Sequence, residues 1–134
     1  MLDATDSGDL AAVRPALRLI SFDIDGTLEV GDPPGRIPLA AIHRAHALGF
    51  VVGSCSDRTI SHQQQMWAEH GVPMQFTVLK QQLPLVRANF PAEHYLHIGD
   101  TEVDAWMARN AGFDFIHVMQ DELWTFLQDH GIQL

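Results

Sequence analysis

Acids, hydroxyls and a single amine stand where apolar runs of this chain end. "RLISF" runs into Asp23-Ile24-Asp25-Gly26-Thr27, "FVVGSC" into Ser56-Asp57-Arg58, "MQFTVL" into Lys80, and "HYLHIG" into Asp100, with Glu102 and Asp104 just beyond. Any one of these acids alone reads as a turn or helix-cap residue. Together at one edge they would repel strongly unless a cation lay among them, and hard carboxylate oxygens with little His or Cys nearby suit Mg2+.

The elements that must position them follow from periodicity. Strand-length apolar runs alternate with segments of helical period: "LRLISF" with "PLAAIHRAHAL", "FVVGSC" with "TISHQQQMWAEH", "MQFTVL" with "QQLPLVRANF", "HYLHIG" with "TEVDAWMARNAG", and "FDFIHV" with "DELWTFLQDHG". Runs apolar on both faces belong in a parallel sheet covered on each side. The expectation is an α/β fold, a three-layer doubly wound parallel sheet of about five strands. Gly49, Gly71 and Gly112 mark helix ends, and Pro84 belongs in the first turn of a helix starting near Leu83. Residues 1–15 read as a flexible or short helical lead-in and residues 16–134 as one domain. In such a sheet ligands gather at the carboxyl ends of the strands, where the acids lie.

These residues carry a resemblance. "FDIDGTL" resembles the DxDGT signature of the haloacid dehalogenase superfamily, and "HIGDTEVD" resembles that family's last acidic motif, GDxxxD. It extends from Leu17 to about Val118. The resemblance implies a Mg2+-dependent phosphatase in which Asp23 attacks phosphorus and becomes an aspartyl phosphate. Asp25 would protonate the leaving oxygen and then activate water, a shared role suited to two acids on one side of an extended strand. Asp100, the Asp23 side chain and the Asp25 carbonyl would hold Mg2+, with Asp104 supporting the ion or Lys80. Gly26 and Thr27 would turn backbone N–H groups toward phosphate oxygens. Ser56 is the motif hydroxyl with Ser54 as its rival, and Lys80, the only lysine, is the motif cation with Arg87 as the alternative. Arg58 either holds substrate or pairs with Asp57, whose charge departs from the family's usual small or neutral residue.

The gaps after Asp25 and between Ser56 and Lys80 are too short for the cap that usually covers this family's site, so the chain resembles the capless branch. An open site accepts a large or protruding phosphorylated substrate, or borrows a lid from a second copy in a homo-oligomer. The loop "EVGDPPGRIP" would form its lip. The resemblance also implies phosphate esters rather than carbon–halogen bonds, since the family's dehalogenating members lack the second acid that stands here at Asp25. The alternatives are a receiver-like signalling module and a non-catalytic scaffold.

The remaining features are bland. With 134 residues and a net charge of -9 the chain opposes nucleic acid and anionic lipid as partners. No apolar run reaches the length of a membrane span, and the expected compartment is the cytoplasm. Cys55 reads as a buried thiol, His97 as a packed side chain, and His43, His46, His62 and His70 as surface or helix-end residues. Trp67, Trp106 and Trp124 read as core or interface anchors.

Overall fold

The computed structural model describes residues 17–133. The expected lead-in, residues 1–15, lies outside the described residues. Five strands appear where the apolar runs predict them: β1 (Arg18–Phe22), β2 (Val51–Ser56), β3 (Phe76–Leu79), β4 (His94–Gly99) and β5 (Asp114–His117). Between and after them come α1 (Leu39–Ala47), α2 (Ile60–His70), α3 (Leu83–Asn89), α4 (Glu102–Asn110) and α5 (Asp121–Asp129). The third helical segment differs from expectation in one respect. It opens with a 3-10 turn, Lys80–Gln82, before Pro84 takes its place in the first turn of α3. Gly49, Gly71 and Gly112 all have positive φ, as a chain turning back from helix to strand requires.

All strand pairs are parallel, in the order β3-β2-β1-β4-β5. Alternation along each strand divides the side chains between two cores. Ile20, Phe22, Val52, Leu96, Ile98 and Ile116 pack with Ile42 of α1, Met66 of α2 and Leu123 of α5. Leu19, Cys55 and Tyr95 pack on the opposite face with Leu83 and Val86 of α3 and Ala108 of α4. Burying each large apolar side chain contributes about 1.5–3 kcal/mol, so both faces must be covered for the sheet to persist. The result is the expected three-layer α/β architecture. No helix among the described residues is long and apolar enough to cross a membrane.

From β1 the chain moves outward in one direction through β2 and β3, then crosses back to β4 and β5 on the other side. The loops leaving β1 and β4 therefore diverge, opening a crevice at the carboxyl ends of the two central strands. Receiver-like sheets have the order 2-1-3-4-5, which this sheet does not follow. The topology differs from a receiver's in that β1, not β3, lies at the centre of the sheet.

The chain after β2 is held by a buried amide. Gln63 of α2 is fully buried; its Oε1 accepts from Ser54 Oγ at 2.7 Å, and its Nε2 donates to the Arg58 carbonyl at 2.8 Å and the Val78 carbonyl at 3.2 Å. Replacing it with an apolar side chain leaves those groups unpaired away from water. Gln63→Leu is expected to lower stability by about 3 kcal/mol, measured by urea unfolding; an unchanged midpoint would contradict this anchoring role.

Candidate active site

Asp23 is the first residue beyond β1, and its N–H donates to the Ile98 carbonyl at 2.9 Å, extending the β1–β4 pairing by one step. Its carboxylate is thereby carried to the crevice while remaining only 3% exposed as a residue. Thr27 Oγ1 donates to Asp23 Oδ2 at 3.2 Å, and Lys80 Nζ lies 3.7 Å from Oδ1. The turn that follows needs glycine twice over. Gly26 has φ 76°, and a Cβ there would fall on the Asp100 carboxylate. Gly99 likewise leaves room for the side chain of Asp104.

Asp104 is fully buried at the start of α4, where Thr101 caps the helix. Its Oδ2 accepts from the Thr101 N–H at 3.2 Å and hydroxyl at 2.8 Å, and its Oδ1 faces His97 Nε2 at 2.9 Å and Lys80 Nζ at 3.3 Å. Both oxygens are thus engaged by protein donors. Lys80 also lies 3.7 Å from Asp57, a side chain 84% exposed at the rim. Asp25, two residues after Asp23, turns outward. Arg58 grips it through Nη2 to Oδ1 at 2.6 Å and Nε to Oδ2 at 3.2 Å, while the Asp32 N–H donates to Oδ1 at 2.8 Å.

These surroundings shift the acids in opposite directions. Burial first, then the Asp104 charge, pushes Asp23 up to about 8; Lys80 opposes the rise and the Asp100 carboxyl adds to it. Burial also acts to raise Asp104, yet the His97 and Thr101 hydrogen bonds and Lys80 outweigh it and bring it down to about 2. At Asp25 burial is again overcome, by Arg58 and the Asp32 N–H, which hold its carboxyl below the usual range. Burial disfavours the Lys80 ammonium, but Asp23, Asp104 and Asp57 more than compensate and raise its pKa.

Asp23, Asp25, Ser56, Asp57, Lys80, Asp100, Thr101 and Pro33 line a pocket of about 160 Å³. A larger cavity, about 510 Å³, lies at the amino-terminal ends of β1, β4 and β5 and contains none of these groups. Convergent chemistry, rather than size, marks the smaller pocket as the candidate site. Carboxylate oxygens of Asp23, Asp100 and Asp104 lie within 4.8 Å of one another, an all-oxygen donor set that fits a hard divalent cation. The side chain of Asp25 is outside that triad, leaving only its carbonyl for such an ion, and Asp104, with both oxygens engaged, serves chiefly to hold Lys80 and the helix cap.

Other expectations sort themselves by contact. Ser56 Oγ lies in the pocket and accepts from the Arg58 N–H at 3.1 Å, whereas Ser54 is turned into the core between Gln63 and Trp67. Arg87 lies away from the acids, donating to the Gly112 carbonyl and stacking on Tyr95, so of these two candidates only Lys80 stands among the acids. Arg58 pairs with Asp25 instead of Asp57. The amides of Gly26 and Thr27 are paired within the protein: they donate to the Pro33 and Ile24 carbonyls at 2.6 and 3.1 Å. The returning loop takes up the Gly26 N–H and the turn itself the Thr27 N–H, and what Thr27 offers the site is its hydroxyl.

Cys55 is buried, and burial chiefly pushes its thiol up to about 12, consistent with an inert core residue. Trp67 is buried while Trp106 is 63% exposed. Sequence reasoning missed Ser21 and Thr101. The T-x-x-D spacing of Thr101 and Asp104 is a legible capping signal, but the partnership of Ser21 with His97 appears only once β1 and β4 are paired.

No protein-family model matches the chain, and no curated protein matches it. The fold and donor set define an α/β protein with an acid-lined crevice at the switch point of its sheet.

Asp23 gives a signed pH dependence in the presence of a chelator. Its folded pKa, about 8, lies above the ordinary carboxylate value of 3.8, so the native state holds a proton that the unfolded state releases. Stability from this group is present below pH 4 and is lost as pH rises to 8. Asp104, brought down to about 2, has the opposite effect, confined to acid below its ordinary range. Asp23→Asn is expected to remove the slope between pH 4 and 8 and to stabilise the fold at pH 7 by about 3 kcal/mol, read from melting temperatures at several pH values. A variant retaining the full wild-type slope would contradict the assignment.

Proposed function

We propose that this chain is a Mg2+-dependent phosphomonoesterase of the haloacid dehalogenase type, working through an aspartyl phosphate on Asp23. The observation that carries the reading is the placement of the Asp23 carboxylate in the crevice, 3.7 Å from the Lys80 ammonium and beside Asp100, with Asp25 two residues on at the rim. An oxygen of Asp23 attacks phosphorus, the bond to the ester oxygen breaks, and that oxygen takes a proton from Asp25. Asp25 then accepts a proton from water as the water attacks the aspartyl phosphate, releasing phosphate and restoring Asp23. Lys80 and the Ser56 hydroxyl meet charge developing on the phosphoryl oxygens.

Mg2+ bound by the Asp23 and Asp100 carboxylates and the Asp25 carbonyl would offset phosphate charge against carboxylate charge. Arg58 has a double role in this scheme. Its grip on Asp25 favours the carboxylate, so Asp25 carries a proton only when the guanidinium turns from it to an anionic substrate oxygen. Residues 24–38 between β1 and α1 leave the crevice open, which supports a phosphate on a protruding or bulky group.

With an aryl phosphate and Mg2+, the wild type is expected to release phosphate, and Asp23→Asn to lose at least about 10³-fold in kcat/KM while remaining folded. Asp25→Asn is expected to release the aryl alcohol in a burst and stall at the phosphoenzyme, detectable as an added phosphoryl mass. Unchanged activity in Asp23→Asn, or no wild-type turnover on sugar, nucleotide, amino-acid and lipid-head-group phosphates, ends this reading.

A further inference from the structure

We propose that His97 is a positioning residue that apportions the Lys80 ammonium between Asp104 and Asp23. Its kinetic consequence rests on the phosphatase reading; its effect on Lys80 does not.

Ser21 and His97 are register partners on β1 and β4, and both are buried. The imidazole spans the space between the Ser21 hydroxyl, 2.9 Å from Nδ1, and Asp104 Oδ1, 2.9 Å from Nε2. A carboxylate oxygen only accepts, so Nε2 carries the proton facing Asp104, and the Ser21 hydroxyl satisfies the ring at Nδ1. Phe115 lies against the ring with centroids 6.2 Å apart and planes inclined by 30°. His97 is thereby fixed on both edges and one face.

A polar ring in the middle of a buried strand is costly unless its groups are paired, and this one is paired with a carboxylate that it does not own alone. Oδ1 of Asp104 is shared by His97 and Lys80, while Oδ2 is held by Thr101. Lys80 stands 3.3 Å from Asp104 and 3.7 Å from Asp23, a difference of only a few tenths of an ångström. Removing the His97 N–H leaves Oδ1 a buried anionic oxygen with Lys80 as its remaining donor. The ammonium is then drawn toward Asp104, away from the nucleophile and the phosphoryl oxygens. A continuous chain, Ser21–His97–Asp104–Lys80–Asp23, thus connects the sheet interior to the reacting carboxylate without His97 touching substrate.

The test compares His97→Leu, which keeps an apolar body without a donor, with His97→Gln, whose amide N–H can reach Asp104. Because Lys80 is the only lysine, its Cε–Hε signal in carbon–proton NMR reports on this ammonium alone. In ligand-free protein that signal is expected to move in His97→Leu and to return toward wild type in His97→Gln. With Mg2+ and an aryl phosphate, kcat/KM should fall on the order of 10- to 100-fold in the Leu variant, the range of one charge-assisted hydrogen bond, and recover substantially in the Gln variant.

A folded His97→Leu protein with the wild-type lysine signal and wild-type kcat/KM overturns the proposal. So does a melting-temperature loss with no change in either, which marks a merely structural residue. If the Leu variant does not fold, Ser21→Ala loosens the ring more gently, and an unmoved lysine signal there overturns the proposal as well. A wild type without turnover removes the phosphatase reading instead, and the lysine signal alone then decides: moved by Leu and restored by Gln supports the positioning role, and unmoved refutes it.

Discussion

One ammonium allows carboxylates to share a nearly dry crevice. Lys80 is 7% exposed, and without it Asp104 would keep only the His97 and Thr101 donors and Asp23 would be harder still to ionise, since a buried carboxylate stripped of its cation costs several kcal/mol. Its position has a local cause. The chain leaves β3 in a 3-10 turn, and the Leu79 N–H donates to Gln82 Oε1 at 2.9 Å, closing that turn so that its first residue points inward. Since β3 is separated from β1 by β2, the long lysine side chain is what bridges the end of the middle strand. Burial and the Asp104 charge still push Asp23 up against this ammonium, and the carboxylate oxygens of Asp23, Asp100 and Asp104 lie close enough together to hold a metal ion.

The charge around this interior is graded. Inside lie acids held by fixed partners: Asp104 by its helix cap, Asp23 by Thr27 and strand pairing. At the rim stand Asp57 and the guanidinium of Arg58, with Arg58 the more adaptable because its partners are a partly exposed carboxylate, His62 and the sulfur of Met66. The interior is built to stay still, and the rim can exchange partners at small cost in burial.

Much of this was legible in the residue order because strand burial on both faces writes long apolar runs, and helix ends write glycine at positive φ. Gly49, Gly71, Gly112 and Pro84 therefore marked boundaries correctly. The gathering of Asp23, Ser56, Lys80 and Asp100 followed from one rule, that ligands collect beyond the carboxyl ends of parallel strands. What escaped were contacts set by tertiary direction. Asp57 and Arg58 are neighbours, yet their side chains diverge, so Arg58 reaches Asp25 across 33 positions. The Gly26 amide is met by the carbonyl of Pro33 in the returning loop, and the Thr27 amide closes its own turn on Ile24. His97 pairs with Ser21 across 76 positions, and no local pattern predicts that both sides of a buried ring will be polar.

That returning loop also limits how the protein can change. Gly31 lies so close to the Ile24 carbonyl, and Gly35 to the Thr27 backbone, that neither has room for a Cβ, while the loop's own amide at Asp32 is bound to Asp25. Backbone is pressed on backbone at both ends of a short arch. Between those feet the crown is exposed but not free, since the Asp32 N–H is bound to Asp25 and the Pro33 carbonyl accepts from Gly26. A change in the length of this arch would therefore be felt directly by the acid at the rim, through the Asp32 amide.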